Sequence, residues 1–169
     1  MNSKSQHNIH AWMLILPKTQ RLYAFKNKAL VAIYNVSTAK NGLGELKGSE
    51  CTPRGWHQVH SVIGLDAPKN AVFVGRVWTK ERYTKQLAKK FPARDWILSR
   101  IIWLDGLEEG FNKGKDVDTL ARYIYIHGTK EPLLPNKPLS HGCIRMKNQD
   151  IIELADWVFE GMRVYIHSY

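Results

Sequence analysis

The chain has few cysteines and no long hydrophobic run, and both shortages exclude whole classes of protein. Only two of its 169 residues are cysteines, Cys51 and Cys143, and two cysteines this far apart do not form a disulfide framework. The longest apolar run near the N-terminus, AWMLIL, has six residues and ends at Pro17. A signal-peptide core needs about 7–15 apolar residues and a membrane span about 18. We therefore expect no membrane span and a cytoplasmic location, or a periplasmic one if the sequence is a trimmed piece of a longer chain.

Acidic residues are also scarce. The sequence has 15 Asp and Glu residues against 25 Lys and Arg residues, a formal net charge of +10 at pH 7, which favours an anionic partner. Part of the excess lies in one region, which contains Lys80, Arg82, Lys85, Lys89, Lys90, Arg94 and Arg100. This cluster fits a solvated basic helix or a surface that attracts small acidic substrates. Because no helix-turn-helix, zinc-finger or RNP motif accompanies it, we expect no nucleic-acid partner.

Short runs rich in β-branched and aromatic residues dominate the chain, and polar turn segments separate them. The runs are AWMLIL, RLYAF, ALVAIYNV, HQVHSVI, AVFVGRVW, ILSRIIWL, RYIYIHG and MRVYIHS. Several short strands at this spacing are typical of a closed or nearly closed sheet. The length fits one domain, residues 1–169. We therefore predict a mainly β fold, a single compact β-sandwich or barrel-like domain with a few peripheral helices.

Two segments predict helices. TKERYTKQLAKKF, residues 79–91, carries good helix formers and stops before Pro92. NQDIIELADWVFEG, residues 148–161, places its apolar residues on one helical face. We expect Asn148 to cap the start of this second helix and Gly161 to follow its end.

The run RYIYIHG has the alternation of a half-buried strand. Tyr123 and Tyr125 should point to one face, and Ile124 and Ile126 to the other. The strand ends at His127, which makes this histidine a candidate for a position at the edge of a site.

A second candidate, Cys143, follows in the segment SHGC, after TKEPLLPNKPL, whose three prolines predict a rigid loop. This order allows His127 to face Cys143. A free thiol is only slightly ionised at neutral pH, and a neighbouring imidazole can take its proton and stabilise the resulting ion pair. The backbone N–H groups of Gly142 and Cys143 can then polarise an attacked carbonyl. These residues suit a cysteine nucleophile with a histidine base.

Three other interpretations of Cys143 stay open on the residues alone. The side chain fits a small buried hydrophobic position. A zinc site can draw on His127, His141 and Cys143, although the spacing in HGC is unlike the common ligand spacings. A disulfide with Cys51 is possible only in an oxidising compartment.

The segments around these residues resemble a known family. The strand end IHG, the proline-bearing loop and the block SHGCIRM are similar to the signature of the YkuD-type L,D-transpeptidase catalytic domain. VSTAKNGLGELKGSECTPRGWHQV resembles the family's glycine-rich segment that leads to a TP-x-G turn. FVGRVW, SRIIWLDG and the helix–strand ending also match the family's layout, so the resemblance extends from about residue 11 to the end of the chain.

The resemblance implies a role for each residue of the signature. Cys143 is expected to be the nucleophile and His127 its general base, with the backbone carbonyl of Gly128 orienting the imidazole. His141 and Gly142 are placed with the catalytic residues.

Two further residues of the signature are placed with substrate binding. Ser140 is expected to help shape the site, and Arg145 to bind a substrate carboxylate through its planar fork. Arg100 and Trp103 are weaker candidates for the groove wall and fit equally well as structural strand residues. Cys51 is expected to be incidental.

The chemistry that the resemblance implies is cleavage of peptidoglycan stem peptides between an L-centre and a D-residue. We expect an L,D-carboxypeptidase of muropeptide recycling, which removes terminal D-alanine from tetrapeptides that contain meso-diaminopimelate, through a thioester on Cys143 and without a metal or organic cofactor. One alternative is a periplasmic L,D-transpeptidase that forms crosslinks or exchanges D-amino acids, and another is a non-enzymatic basic binding module. Hydrolysis and transfer use the same catalytic residues, and the oligomeric state stays open.

Overall fold

The computed structural model describes residues 10–130, 133 and 136–169. Within these ranges ten strands form one sheet. The strands are β1 (Ala11–Leu16), β2 (Arg21–Lys26), β3 (Ala29–Ser37), β4 (Gly55–Ile63), β5 (Ala71–Val74), β6 (Val77–Arg82), β7 (Ile97–Gly106), β8 (Tyr125–Gly128), β9 (Ile144–Met146) and β10 (Arg163–Ile166). The helices are α1 (Lys85–Lys90) and α2 (Asn148–Ala155), with a 3-10 turn at Lys115–Val117.

The sheet closes on itself. Hydrogen-bonded neighbours follow the order β4-β10-β1-β2-β3-β9-β8-β7, and β7 also pairs with β4, so the eighth strand returns to the first. The hairpin of β5 and β6 continues from the free part of β7. The pairs β1–β10 and β8–β9 are parallel, and the other pairs are antiparallel. Closure pairs the edges that an open sheet would expose, and it confirms the predicted mainly β, barrel-like fold.

Aliphatic side chains from alternate strand positions fill one face of the closed sheet. Members of this core that are without exposed surface include Met13, Ile15, Leu22, Leu104, Ile126, Ile144 and Met146. Helix α2 adds Ile151 and Leu154 to the same cluster. Each buried side chain of this size stabilises the fold by about 1.5–3 kcal/mol relative to an exposed one. The regular period of two therefore sorts each strand into an inner and an outer face.

A smaller cluster lies on the outer face of β7 and β8. Phe73 of the β5–β6 hairpin packs there with Ile101 and Tyr125, and Cys143 packs against their edge. The hairpin thus covers the outside of the sheet at the point where the candidate cysteine lies.

The strands agree closely with the prediction, but the first helix does not. The expected helix over residues 79–91 is wrong at its start, because residues up to Arg82 belong to β6 and pair with β5. Helix α1 begins only after Thr84, whose hydroxyl accepts a hydrogen bond from the N–H of Leu87. Pairing with a neighbouring strand has overridden the helix propensity of these residues. The helix ends before Pro92, as predicted.

The second helix is present, but Asn148 does not cap it. The helix is preceded by Lys147 at the cap position, and the Asn148 side chain is buried. Its Oδ1 accepts a hydrogen bond from Ser99 and its Nδ2 donates to the carbonyl of Thr129. This residue therefore joins α2 to β7 and to the segment after β8.

The end of α2 also differs from the prediction. The helix stops at Ala155, so Gly161 does not follow its C-terminus directly. Gly161 instead has φ +86 in a later turn, where its N–H donates to the carbonyl of Val59. In the part of the chain that the structure describes, no helix has the length and apolarity to cross a membrane.

The seam between β4 and β7 gives a test of closure. Leu104 of β7 is paired with Val59 of β4 and is fully buried. We expect Leu104→Ala to lower the free energy of unfolding by about 2–5 kcal/mol, because it leaves a cavity at the seam. Val77→Ala is the control, since that side chain is 68% exposed and its loss should change stability by no more than about 0.5 kcal/mol. Equal urea midpoints for the two variants would contradict the closed core.

Candidate active site

The parallel pairing of β8 with β9 places the candidate residues on one surface. Ile126 pairs with Ile144, and the next pair is His127 with Arg145. Since the two isoleucines belong to the inner core, His127 and Arg145 point to the outer face. Cys143, two residues before Arg145, contacts the outer cluster. The register thus brings Cys143, His127 and Arg145 to the same side of the sheet.

The strand predicted from the run RYIYIHG is shorter than expected, since it corresponds to β8, Tyr125–Gly128. Ile124 and Ile126 are core residues and Tyr125 is on the outer face, which confirms their alternation. Tyr123 instead lies in a turn with φ +56, and β8 begins only at Tyr125. Of the predicted proline-bearing loop, residues 131–132 and 134–135 lie outside the described residues.

The turn SHGC is held by its own side chains. The Ser140 hydroxyl donates to the carbonyl of Cys143 and accepts from the N–H of Gly142. Gly142 has φ +130, a conformation that favours glycine, and its carbonyl accepts a hydrogen bond from Thr52 at 2.9 Å. Ser140 therefore positions Cys143, and its expected contact with substrate stays a prediction. The Gly142 N–H, expected to serve as an oxyanion donor, is already engaged within the turn.

The thiol of Cys143 is bonded to backbone groups. The N–H of Tyr125 donates to the sulfur at 3.3 Å, and the thiol donates to the carbonyl of Tyr123 at 3.4 Å. Burial among protein atoms raises the pKa of Cys143 to about 12. In the resting protein this side chain is consequently a neutral thiol that is reachable from the groove.

The imidazole of His127 is buried and oriented. Its Nδ1 lies 2.6 Å from the carbonyl of Gly128. A carbonyl only accepts hydrogen bonds, so Nδ1 carries the proton and Nε2 keeps a free lone pair. Burial lowers the pKa of His127 below its usual value, which keeps the ring neutral at pH 7. The ring is thus in the tautomer and charge state of a base.

Among the described residues, no hydrogen bond joins Cys143 to His127, as a preformed thiolate–imidazolium pair would require. Across the described residues, the hydrogen-bond partners of the Cys143 thiol are Tyr123 and Tyr125 rather than His127. Burial disfavours both charged forms, since it raises the pKa of the thiol and lowers that of the imidazole. Both side chains are therefore favoured in their neutral forms.

Arg145 holds an ion pair. Its Nη2 lies 3.1 Å from Oδ1 of Asp95, and its Nη1 donates to the carbonyl of Leu139. Its Nε is buried and has no hydrogen-bond partner among the described residues. The site of the predicted carboxylate contact is thus already shared with a carboxylate of the protein.

A groove of about 390 Å³ opens above Cys143 and is strongly cationic. The charged side chains of its wall are Arg76, Asp95, Arg122 and Arg145. A second cavity of about 270 Å³ lies beside it and shares Asp95, His141 and Arg145 with it. His141 is exposed where the two cavities meet. In the described part of the wall, three guanidinium groups against one carboxylate favour an anionic ligand.

Sequence reasoning missed Arg122, which supports the wall next to Cys143. Its guanidinium donates to the carbonyls of Gly44, Glu45 and Cys51. These partners are 71 to 78 residues away along the chain, so no local pattern indicates them. Cys51, expected to be incidental, takes part through its backbone carbonyl.

Arg76 was also missed. It lies in the turn of the β5–β6 hairpin, donates to the hydroxyl of Tyr125 at 3.0 Å and lies 4.6 Å above the ring of Trp103. Trp103 thus lies behind the groove wall, within the outer cluster. Arg100, the other weak candidate, is buried away from the groove and donates to the carbonyls of Ala67 and Ser99, so its role is structural.

The structure bears on the three alternative interpretations of Cys143: the disulfide, the zinc site and the buried hydrophobic position. Cys51 and Cys143 are both free cysteines. Within the described residues no group of three or more His, Cys, Asp or Glu side chains is arranged to hold a metal ion. Cys143 is only half-buried and lines the groove, unlike a purely structural core residue.

A family sequence model and two curated relatives indicate the same family for this chain. The sequence model of the YkuD family, the L,D-transpeptidase catalytic domain, matches residues 10–166. A putative L,D-transpeptidase YkuD of Bacillus subtilis is 55% identical over 42 residues, and one of Bacillus licheniformis is 54% identical over 41 residues. Each matched stretch spans about a quarter of this chain and about a quarter of the relative, 25% and 26% for the first and 24% and 25% for the second.

Solved structures share the fold. An L,D-transpeptidase from Xylanimonas cellulosilytica has a TM-score of 0.54 at 20% identity, with 99% of this chain and 65% of that chain covered. L,D-transpeptidase 3 from Mycobacterium tuberculosis, in complex with a faropenem-derived adduct, has a TM-score of 0.57 at 13% identity, with 94% and 60% covered. The chain spans less than two thirds of the length of either structure, and at these identities the likeness concerns the fold.

The buried thiol predicts an unusual pH dependence of alkylation. In the Cys51→Ala variant, whose remaining thiol is Cys143, iodoacetamide should react on the order of 10³ times more slowly at pH 7 than with a free thiol of pKa about 8.5. The rate should keep rising with pH through pH 9, because the pKa of about 12 lies far above this range. The Cys143→Ala variant reports the profile of Cys51 as a control. A rate that levels off near pH 7 would instead indicate a resting ion pair with His127.

Proposed function

The chain belongs to the YkuD family of L,D-transpeptidase catalytic domains, and we propose that it is a cysteine-dependent L,D-carboxypeptidase. Its proposed reaction removes terminal D-alanine from peptidoglycan tetrapeptides that contain meso-diaminopimelate. One observation carries the proposal: the Cys143 thiol and the neutral His127 imidazole lie on one face of paired strands, at the base of an arginine-lined groove.

Acylation follows from the states of the two side chains. His127 Nε2 takes the thiol proton while the Cys143 sulfur attacks the carbonyl of the L-centre of diaminopimelate. The developing oxyanion is stabilised by backbone N–H groups at the turn, with that of Cys143 as the remaining donor of the expected pair. The imidazolium then protonates the amine of D-alanine as the carbon–nitrogen bond breaks. D-alanine leaves, and a thioester joins the remaining peptide to Cys143.

The neutral resting forms of the Cys143 thiol and the His127 imidazole suit this sequence of steps. A buried thiolate beside a buried imidazolium would be costly before substrate arrives, whereas attack neutralises the sulfur as the charge forms. The Gly128 carbonyl, which accepts from Nδ1, stabilises the imidazolium during this step. A general base placed in this way contributes about 10²–10⁴-fold to the rate.

The second step decides between hydrolysis and transfer, and the charges of the groove favour hydrolysis. A crosslinking reaction needs the amine of a second stem peptide, which arrives mostly as an ammonium ion. Among the described residues, the groove wall carries Arg76, Arg122 and Arg145, and its one carboxylate, Asp95, is paired with Arg145 in the resting protein. An acceptor ammonium therefore has to displace Arg145 from Asp95 before it can bind, whereas water needs no carboxylate partner. The periplasmic L,D-transpeptidase is the second candidate, favoured because the structural neighbours are L,D-transpeptidases.

The proposed setting is recycling of soluble muropeptides in the cytoplasm. A groove of about 390 Å³ suits the end of a small peptide, and the net charge of +10 attracts stem peptides rich in carboxylates. If this setting is right, deletion of the gene should cause tetrapeptide intermediates to accumulate, with little direct change in L,D crosslinks. Recovery of the tagged native protein in the periplasm would instead favour the periplasmic L,D-transpeptidase as the function.

The products identify the reaction. With a purified disaccharide tetrapeptide, we expect mass spectrometry to show loss of one D-alanine, since water resolves the thioester. Cys51→Ala should retain this activity and Cys143→Ala should lose it, because the two thiols differ in position relative to the groove. Crosslinked dimers or exchanged D-amino acids would show that the protein is a transpeptidase rather than a carboxypeptidase. Unchanged turnover in Cys143→Ala would refute the nucleophile, and no product of either kind from the wild type would favour a binding module.

The base is tested separately. We expect His127→Ala to lower kcat by about 10²–10⁴-fold, since proton transfer from the thiol loses its acceptor. His10→Ala is the control, because His10 is exposed and outside the groove wall. Circular dichroism and the thermal midpoint identify any loss of fold in the His127 variant. A folded His127→Ala variant with wild-type kcat would exclude the residue as base.

A further inference from the structure

The ion pair of Asp95 and Arg145 stands in the wall between two cavities. The groove above Cys143 and the neighbouring cavity of about 270 Å³ both include these two side chains. Both charges are therefore presented to a ligand whose chain lies in the groove. The pair is also close to the reacting groups, since Asp95 and Arg145 each influence His127 and Cys143 electrostatically.

The guanidinium of Arg145 is only partly satisfied. One oxygen of Asp95 contacts Nη2, the carbonyl of Leu139 takes Nη1, and the buried Nε has no partner among the described residues. The Nε–Nη2 edge of an arginine normally binds both oxygens of a carboxylate. The single contact with Asp95 leaves the buried Nε of that edge unsatisfied, and a ligand carboxylate that replaces Asp95 can contact both nitrogens.

Asp95 is the more exposed partner. Its side chain is 53% exposed, against 17% for Arg145. An ion pair with one solvated member is held weakly, and its carboxylate can turn toward another cation without entering a less polar environment. Asp95 can therefore release Arg145 to an incoming anion and at the same moment receive an incoming cation.

We propose that Asp95 and Arg145 together recognise a free amino-carboxylate group, the zwitterionic end of the diaminopimelate side chain. The ligand carboxylate binds Arg145 and its ammonium binds Asp95, so the internal ion pair is exchanged for two contacts with substrate. This inference rests on the proposed function for the identity of the peptide, but its recognition chemistry is independent of whether water or an amine completes the reaction.

The spacing between Cys143 and Arg145 fits this arrangement. Cys143 directly precedes β9 and Arg145 is the second residue of that strand, so at the usual rise of a strand their Cα atoms are about 6.6 Å apart. Three methylenes separate the two centres of diaminopimelate, a span of the same order. The attacked carbonyl can thus lie at the thiol while the other centre lies at the ion pair. Asp95 and Arg145 become specificity-determining residues rather than parts of the proton-transfer machinery.

Three tetrapeptides that differ only at this side chain test the proposal. One carries the free amino-carboxylate, one carries the carboxylate as an amide, and one carries the amine as an acetamide. For the wild type we expect kcat/KM to be at least about tenfold higher for the free form than for either derivative, because each derivative leaves one member of the Asp95–Arg145 pair without its partner on the substrate.

The variants should separate the two contacts. Asp95→Asn should abolish the preference for the free amine over the acetamide and keep the preference for carboxylate over amide, and Arg145→Gln should do the reverse. Glu81→Gln is the matched control, since Glu81 is an acid paired with Arg94 that does not line the groove of Cys143. This variant should keep both preferences. Equal losses for all three peptides in the Asp95 and Arg145 variants would overturn the proposal.

Affinity supplies a second readout that does not depend on turnover. The same peptides are titrated calorimetrically into Cys143→Ala protein with and without the Asp95 and Arg145 substitutions. Selective binding of the free form without release of D-alanine by the wild type would contradict the proposed function and support the recognition pair. Release of D-alanine without discrimination among the three peptides would do the opposite.

Discussion

The parallel register between β8 and β9 is the constraint on which the site depends. Side chains alternate along a strand, so the pairing of Ile126 with Ile144 turns both into the core and leaves His127 and Arg145 outside. A slip of one residue in either strand would reverse this sorting. It would bury a charged side chain and expose an aliphatic one. The burial of Ile126 and Ile144 therefore determines that His127 and Arg145 lie on the outer face.

Burial is the second determinant, because it sets the charge states. The thiol and the imidazole share a surface that is open to a groove but surrounded by protein, and each is held neutral there. Cationic side chains around the groove produce a field that favours an anionic ligand. In the proposed mechanism, proton transfer from Cys143 to His127 begins only when a bound substrate presents its carbonyl.

Most of the strands, and the faces to which their side chains point, can be predicted from the sequence. The alternation in RYIYIHG predicts the faces of Ile124, Tyr125 and Ile126, and the β-rich runs predict most strands, because both rest on local pattern. The helix predicted over residues 79–91 fails at its start, because pairing with β5 is a non-local interaction that propensity does not include. For the same reason the roles of Arg122 and Asp95 are not visible, since their partners are far away in sequence.

We propose that Cys143 carries the substrate as a thioester, which water then hydrolyses. Rapid quenching during turnover of the tetrapeptide, followed by intact mass measurement and peptide mapping, can detect this intermediate. We expect an adduct with the mass of the tetrapeptide less D-alanine, located on the peptide that contains Cys143 and decaying to free tripeptide. An adduct on Cys51, or release of D-alanine with no adduct at any time during the reaction, would refute the thioester on Cys143.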